Sequence, residues 1–409
     1  MAEQFYTKQL ANGLTLLGQR MEGVSSLSMS LLIRGGAAYD PPDGEGIASV
    51  ASEWMLRGAG EWDTRQLNNL LDSLGCQHDE NVHSEHLHLS SAQLGRNFEQ
   101  ILAIYRQIVL APRLEDATFE PCRQLTMQDL ASLEDEPARK CNVLLSEKFY
   151  PYPLGRCTHG HQESLAIMRP KDAREHLLSH LTPHGAILAI AGDIDWDKFV
   201  AMAWEHFGTW NAPPPPEVRT MKMPTGQTHV RKETAQAHIG IAHPSVPLGH
   251  KMYYAARLAE TVLSGGMGSR LFTEVREMRG LVYNVGCRYH SLKDHAGFFT
   301  YAGTRPEVAQ QTLDVTLGEI RRMGEGVTED EMARARTQLK SSLVMQGEST
   351  PARAHTLASD WYLLGRLRTL REISDSIDGV TAGEVAEYMK AFPPSPLTVL
   401  VIGPEALKL

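Results

Sequence analysis

Gly46-Ile47-Ala48-Ser49-Val50-Ala51-Ser52-Glu53-Trp54-Met55-Leu56-Arg57-Gly58 reads as one amphipathic helix of about three turns, set between two glycines. Ile47, Val50, Ala51, Trp54 and Met55 recur at the spacing of a single buried face. Ser49, Ser52 and Glu53 lie off that face, one turn apart, where a helix presents chemistry to a cleft.

Working outward, Asn12-Gly13 is a hairpin signal between the apolar runs 6–10 and 14–17. Leu27, Met29, Leu31 and Ile33 then alternate with Ser28, Ser30 and Leu32 as a strand with one apolar face. After the helix, residues 64–74 carry a helical period that Gly75 ends, and residues 82–91 alternate again. Residues 185–193, Gly-Ala-Ile-Leu-Ala-Ile-Ala-Gly-Asp, form a near-continuous apolar strand that belongs in the centre of a sheet. Residues 196–210 read as a helix and its exit, and Pro213 to Pro216 follow as a stiff spacer.

At 409 residues the chain is too long for one compact domain. The spacer places the boundary: 1–210, a linker at 211–222, and 223–409. The second half repeats marks of the first. Glu115-Asp116 with Gln124-Leu125 returns as Glu329-Asp330 with Gln338-Leu339, offset by 329 − 115 = 214 residues, and each half ends on an apolar strand closed by glycine. The pattern predicts an α+β fold of two similar domains, each a mainly antiparallel sheet of about six strands covered by helices, facing one another across a cleft.

A net charge of −9 excludes a nucleic-acid or anionic-membrane partner and favours basic peptides. The five cysteines are odd in number, widely spaced and without a Cys-x-x-Cys pair, which predicts a reducing compartment. With no secretory segment before the first strand and no membrane-spanning apolar run, a cytoplasmic protein is expected.

Three histidine groups invite a metal reading and resist it. His83, His86 and His88 sit on an alternating strand whose polar face is expected to be wet or to line a cleft. His176 and His180 have the i, i+4 spacing of helical ligands but no acid between them. Pro183 stops the helix, so an imidazolium favoured by the helix dipole explains the pair. Cys157, His159 and His161 crowd into one turn without a second cluster.

Gly265-Gly266-Met267-Gly268-Ser269-Arg270-Leu271-Phe272-Thr273-Glu274-Val275-Arg276-Glu277-Met278-Arg279-Gly280-Leu281-Val282-Tyr283 predicts a helix with Leu271, Phe272, Val275 and Met278 on its buried face, broken by Gly280 before a strand. Arg276 leaves the helix end and Tyr283 the strand, so a tight turn brings both donors to one spot. Guanidinium and phenol suit negative charge developing on oxygen. The glycines do not make a phosphate loop, since its Lys-Ser/Thr is missing.

Together with Glu134-Asp135-Glu136-Pro137, these stretches resemble the M16 metallopeptidases, the insulinase, pitrilysin and mitochondrial processing peptidase group, in their M16B type. In that family the helix at 47–55 carries an inverted zinc motif, histidine-x-x-glutamate-histidine. Setting Gly46 and Gly58 on the family's glycines puts Ser49 and Glu53 at the ligand positions and Ser52 at the general base. Sliding the register by one to make Glu53 the base puts Val50 and Trp54 at the ligand positions, and neither binds zinc. The family's third ligand, a glutamate before the Glu-Asp-x-Pro turn, corresponds to Asp129, 129 − 53 = 76 positions after Glu53, and the acid seven residues earlier to Cys122. The resemblance therefore implies no metal and no cofactor in this chain. The remaining oxygen ligands would suit only a weakly held hard cation.

The family's C-terminal signature implies that Arg276 and Tyr283 reach across the cleft to a zinc site, bind substrate backbone and stabilise the oxyanion of the attacked bond. A chain that keeps this pair without the zinc motif resembles the non-zinc subunit of a heterodimeric M16 peptidase, inactive alone. Its partner would be a homologue with the intact motif, which brings the zinc, and the pair would hydrolyse peptides or unfolded segments. The alternative is a catalytically inactive structural or peptide-binding homologue, like the core subunits of the respiratory bc1 complex.

Overall fold

The computed structural model describes residues 3–409, which form two compact units. The first comprises the residues up to Ser132, Arg156–Thr220 and Gln346–Leu367; the second comprises Leu133–Gly155, Met221–Met345 and Arg368–Leu409.

The first unit is built on a six-stranded sheet ordered Gln4–Gln9, Thr15–Arg20, Ile187–Gly192, Ser26–Arg34, His86–Leu94, Gln77–Val82. All its pairings are antiparallel except Thr15–Arg20 with Ile187–Gly192. Asn12-Gly13 makes the expected turn: Gly13 has φ +95, open to a residue without Cβ, and the Asn12 amide donates to the carbonyls of Phe207 at 2.7 Å and Trp210 at 3.0 Å. Ile187–Gly192 is buried at every position, as a central strand of unbroken apolar sequence should be. Residues 82–91 divide differently from expectation. Gln77–Val82 and His86–Leu94 are two antiparallel strands with the reversal at 83–85.

The second unit has a five-stranded sheet ordered Val282–Ser291, Ala296–Thr304, Ala237–Ser245, Thr398–Gly403, Gly226–Arg231, with only the last pair parallel. Each unit is thus α+β with a mainly antiparallel sheet. The repeat is visible in the helices Asp116–Ser132 and Glu329–Gly347. Their buried positions align at 332 − 119 = 213 and 335 − 122 = 213, one residue less than the offset of the matching sequence pairs.

Each sheet takes one covering helix from the other half of the chain. Thr350–Leu364 lies on the first unit's sheet, where Leu357 and Ala358 pack against Leu17, Leu32, Ile187 and Ala189. Arg353 is 2% exposed there and donates to Gln19 Oε1 at 2.6 Å and Glu3 Oε1 at 3.0 Å. Conversely, Pro137–Phe149 lies on the second unit's sheet, so close that a Cβ on Gly240 would meet Cys141 Sγ at 2.9 Å. The chain consequently passes between units after Ser132, Gly155, Thr220, Met345 and Leu367, and only the crossing after Thr220 falls within 211–222. A division at that linker alone does not describe the units, because the pattern of a helix does not say which sheet it will cover.

Candidate functional site

Helix Ile47–Met55 buries Ile47, Val50, Ala51, Trp54 and Met55, the predicted face. Its start is held by Asp40, whose carboxylate accepts from Gly46 N at 2.7 Å and Ala48 N at 3.2 Å. Asp40 is 4% exposed; burial pushes its carboxyl up to about 7 against the pull of those two donors and of Arg156.

On the opposite face the family's zinc positions are committed to other partners. Ser49 Oγ donates to the Thr158 carbonyl at 2.6 Å. Ser52 Oγ is buried and finds no hydrogen-bond partner. Glu53 is paired with Arg57 one turn on and hydrogen-bonds Glu80, which the edge strand Gln77–Val82 presents to the helix. Burial, then the negative charges of Glu53 and Asp79, push Glu80 up to about 7. Arg57 also hydrogen-bonds the Cys122 thiol, which burial keeps protonated and which donates to Thr118 O at 3.2 Å. A serine hydroxyl spent on a carbonyl, a carboxylate neutralised by guanidinium and a protonated thiol do not fit zinc. Among the described residues no group of three His, Cys, Asp or Glu is placed to hold a metal. The Glu53–Arg57 pair was legible as an i, i+4 spacing; Glu80, on a strand apart in sequence, was not.

The histidine expectations need correction for His86, His88 and His180, whose rings are buried, whereas His83 and His161 stay exposed. His86 and His88 are 6% and 8% exposed because helix Thr350–Leu364 covers their face, with Tyr362 edge-on to His86 at 4.0 Å and His355 5.3 Å from His88. Burial, then the neighbouring His355 and His83, push His88 down to about 4. The rings of His176 and His180 lie 4.4 Å apart, tilted by 36°, and burial pushes His176 down to about 3, so desolvation overrides the helix dipole and the rings are neutral.

A pH prediction follows for His88, whose Nε2 is 2.9 Å from Ser30 Oγ. Its folded-state pKa lies below the ordinary value, so the unfolded chain binds the proton first and stability is lost as pH falls from 6.5 through about 4. Asp40 and Glu80, being raised, act in the opposite sense, so the term is isolated by comparing wild type with His88→Asn. The wild-type advantage in urea unfolding should be fully present above pH 6.5 and shrink by roughly 3 kcal/mol by about pH 4. A difference independent of pH would contradict the assignment.

In the second unit, Arg276 and Tyr283 flank the turn as expected. The helix, however, finishes as a π-turn over Phe272–Glu277, with Met278 N bonding Thr273 O at 2.9 Å. Gly280, at φ +59, closes it: Gly280 N meets Arg276 O at 2.9 Å and Leu281 N meets Val275 O at 3.1 Å. Tyr283 then falls at a register shift between Val282 and Asn284, the extra residue of a β-bulge, and is 62% exposed. Arg270 is paired with Glu331, and Arg279 with Glu274. Arg276, exposed, has no carboxylate partner among the described residues and lies over the Phe272 ring at 5.0 Å. Met278 departs from its predicted place on the buried face and is 73% exposed.

Among curated proteins, the chain is similar to an uncharacterized zinc protease of Rickettsia felis, 27% identical over the full length of both chains. It is likewise similar to one of Bacillus subtilis, 27% identical over 93% of each. Its fold matches the crystal structure of a peptidase M16 inactive domain from Pseudomonas fluorescens, with TM-score 0.90 at 18% identity over 100% of this chain and 99% of that one. It also matches a protease from Helicobacter pylori, with TM-score 0.90 at 15% identity over 98% and 100%. Residues 18–161 match the family described as Insulinase (Peptidase family M16), and residues 168–339 match Peptidase M16 inactive domain. These matches, over 18–161 and 168–339, take in most of the chain, so the chain belongs to peptidase family M16.

Proposed function

We propose that this chain is the non-zinc subunit of a two-chain M16 zinc peptidase, supplying Arg276 and Tyr283 in trans to a homologue with the intact zinc motif for the hydrolysis of peptides or unfolded segments. The observation that carries the reading is the isolation of Arg276. In a stretch where Arg270 and Arg279 are each neutralised by glutamate, this guanidinium is left free and steadied by an aromatic face, 283 − 276 = 7 residues before an exposed Tyr283. Keeping a cation and a phenol exposed has little structural use and suits binding of peptide carbonyls and of charge developing on them. The other half of the support is the helix 47–55, whose positions do not fit zinc.

Reconstitution tests the reading. The purified chain alone should hold no stoichiometric zinc and cleave no peptide. Co-expression with an intact-motif homologue from the same genome should give a one-to-one complex whose peptidase activity is lost on chelation. One tightly held zinc per isolated chain, or failure to associate at micromolar concentration, would overturn it.

A further inference from the structure

We propose that Met278 is a specificity-determining residue of this site, receiving a large apolar side chain of the extended peptide held by Arg276 and Tyr283; the inference rests on the function proposed above. The periodicity of Leu271, Phe272 and Val275 places Met278 on the buried face of a regular helix. Leu271 and Val275 do go fully into the core. The π-turn then advances each residue by a smaller angle than an α-helix does, so the end of the helix is rotated and Met278 emerges 73% exposed.

Its location makes that exposure specific. The hydrogen bond between Leu281 N and Val275 O pins the two limbs of the turn together. Arg276 stands one residue from that bond on one limb and Tyr283 two residues from it on the other; Met278 lies on the loop between them. Three of the twelve exposed large hydrophobic residues among the described residues, Met267, Met278 and Tyr283, fall within the 17 positions 267–283, and Met278 and Tyr283 flank Gly280. The nearby charges leave room for an uncharged side chain: Arg279 is neutralised by Glu274, and Arg276 is assigned to the peptide backbone. A thioether on three rotatable bonds adapts to aliphatic and aromatic side chains alike. The occupant is therefore a Leu-, Met- or Phe-like residue next to the bond being cut, with acidic or basic residues disfavoured there.

Two internally quenched peptides that differ only in Leu or Glu beside the cut test this on the reconstituted complex. Wild type should prefer the Leu peptide, and Met278→Lys should lower the ratio of kcat/KM values, Leu over Glu, about tenfold or more. Met278→Leu should keep the preference. Tyr283→Phe should slow both peptides alike, which separates the site's chemistry from its selectivity. An unchanged ratio in Met278→Lys with Tyr283→Phe impaired overturns the role of Met278 alone. Loss of subunit association in Met278→Lys makes it an interface residue and overturns it as well. A fully active Tyr283→Phe removes the underlying reading and this inference with it.

Discussion

In the two-chain peptidase proposed here, Tyr283→Phe is expected to lower turnover about 100-fold to 1,000-fold, the usual cost of one preorganised oxyanion donor, on the order of 3 to 4 kcal/mol. The substitution keeps the ring and deletes one hydroxyl. Tyr283 is 62% exposed on a bulge, so its ring packs little and stability should hardly change. The hydroxyl meets charge that appears on the scissile carbonyl only during reaction, so the loss falls on kcat more than on substrate binding. Arg276→Ala is a less clean probe, because it also removes the guanidinium from the Phe272 face at the end of the helix. The measurement is turnover of the complex beside its melting temperature and subunit affinity. Turnover within about threefold of wild type, with the complex intact, would make Tyr283 a structural residue.

Much of this was legible in one dimension because periodicity reports burial. The face of helix Ile47–Met55, the buried strand Ile187–Gly192 and the turn at Gly280 follow from spacing and from residues that tolerate positive φ. What was not legible depends on partners remote in sequence. The alternation around His86 and His88 shows two faces, yet their polar face is covered by Thr350–Leu364, more than two hundred residues on, and the rings become buried and neutral. Glu80 meets Glu53 for the same reason. Met278 differs for another reason: a regular helical period puts it in the core, but the chain makes a π-turn, whose smaller advance per residue brings the position to the surface.

Cutting the chain in its proline-rich stretch is expected to leave neither half able to fold alone, a larger effect than any single substitution. Residues 1–210 would retain the whole six-stranded sheet but lose Thr350–Leu364 from one face, uncovering Leu17, Leu32, Ile187 and Ala189. Burying one such side chain contributes about 1.5 to 3 kcal/mol. The same cut removes Arg353 from Glu3 and Gln19, and breaking a buried charged pair typically costs about 3 to 5 kcal/mol more. Whole domains are stable by only about 5 to 15 kcal/mol, so the fragment should lie at or beyond its limit. It would also carry Pro137–Phe149 without the sheet that helix covers, an apolar face inviting aggregation. Residues 223–409 face the reciprocal loss of that helix and keep Thr350–Leu364 with no sheet beneath it. Co-expressed, the halves can exchange helices again, so a soluble nicked protein with a single cooperative melt should return. Size-exclusion chromatography, circular dichroism and thermal unfolding of each half and of the co-expressed pair decide the matter. A residue 1–210 fragment that is monomeric, gives a dispersed NMR spectrum and melts cooperatively would show that the exchanged helix is an accessory and not a structural part of the first unit.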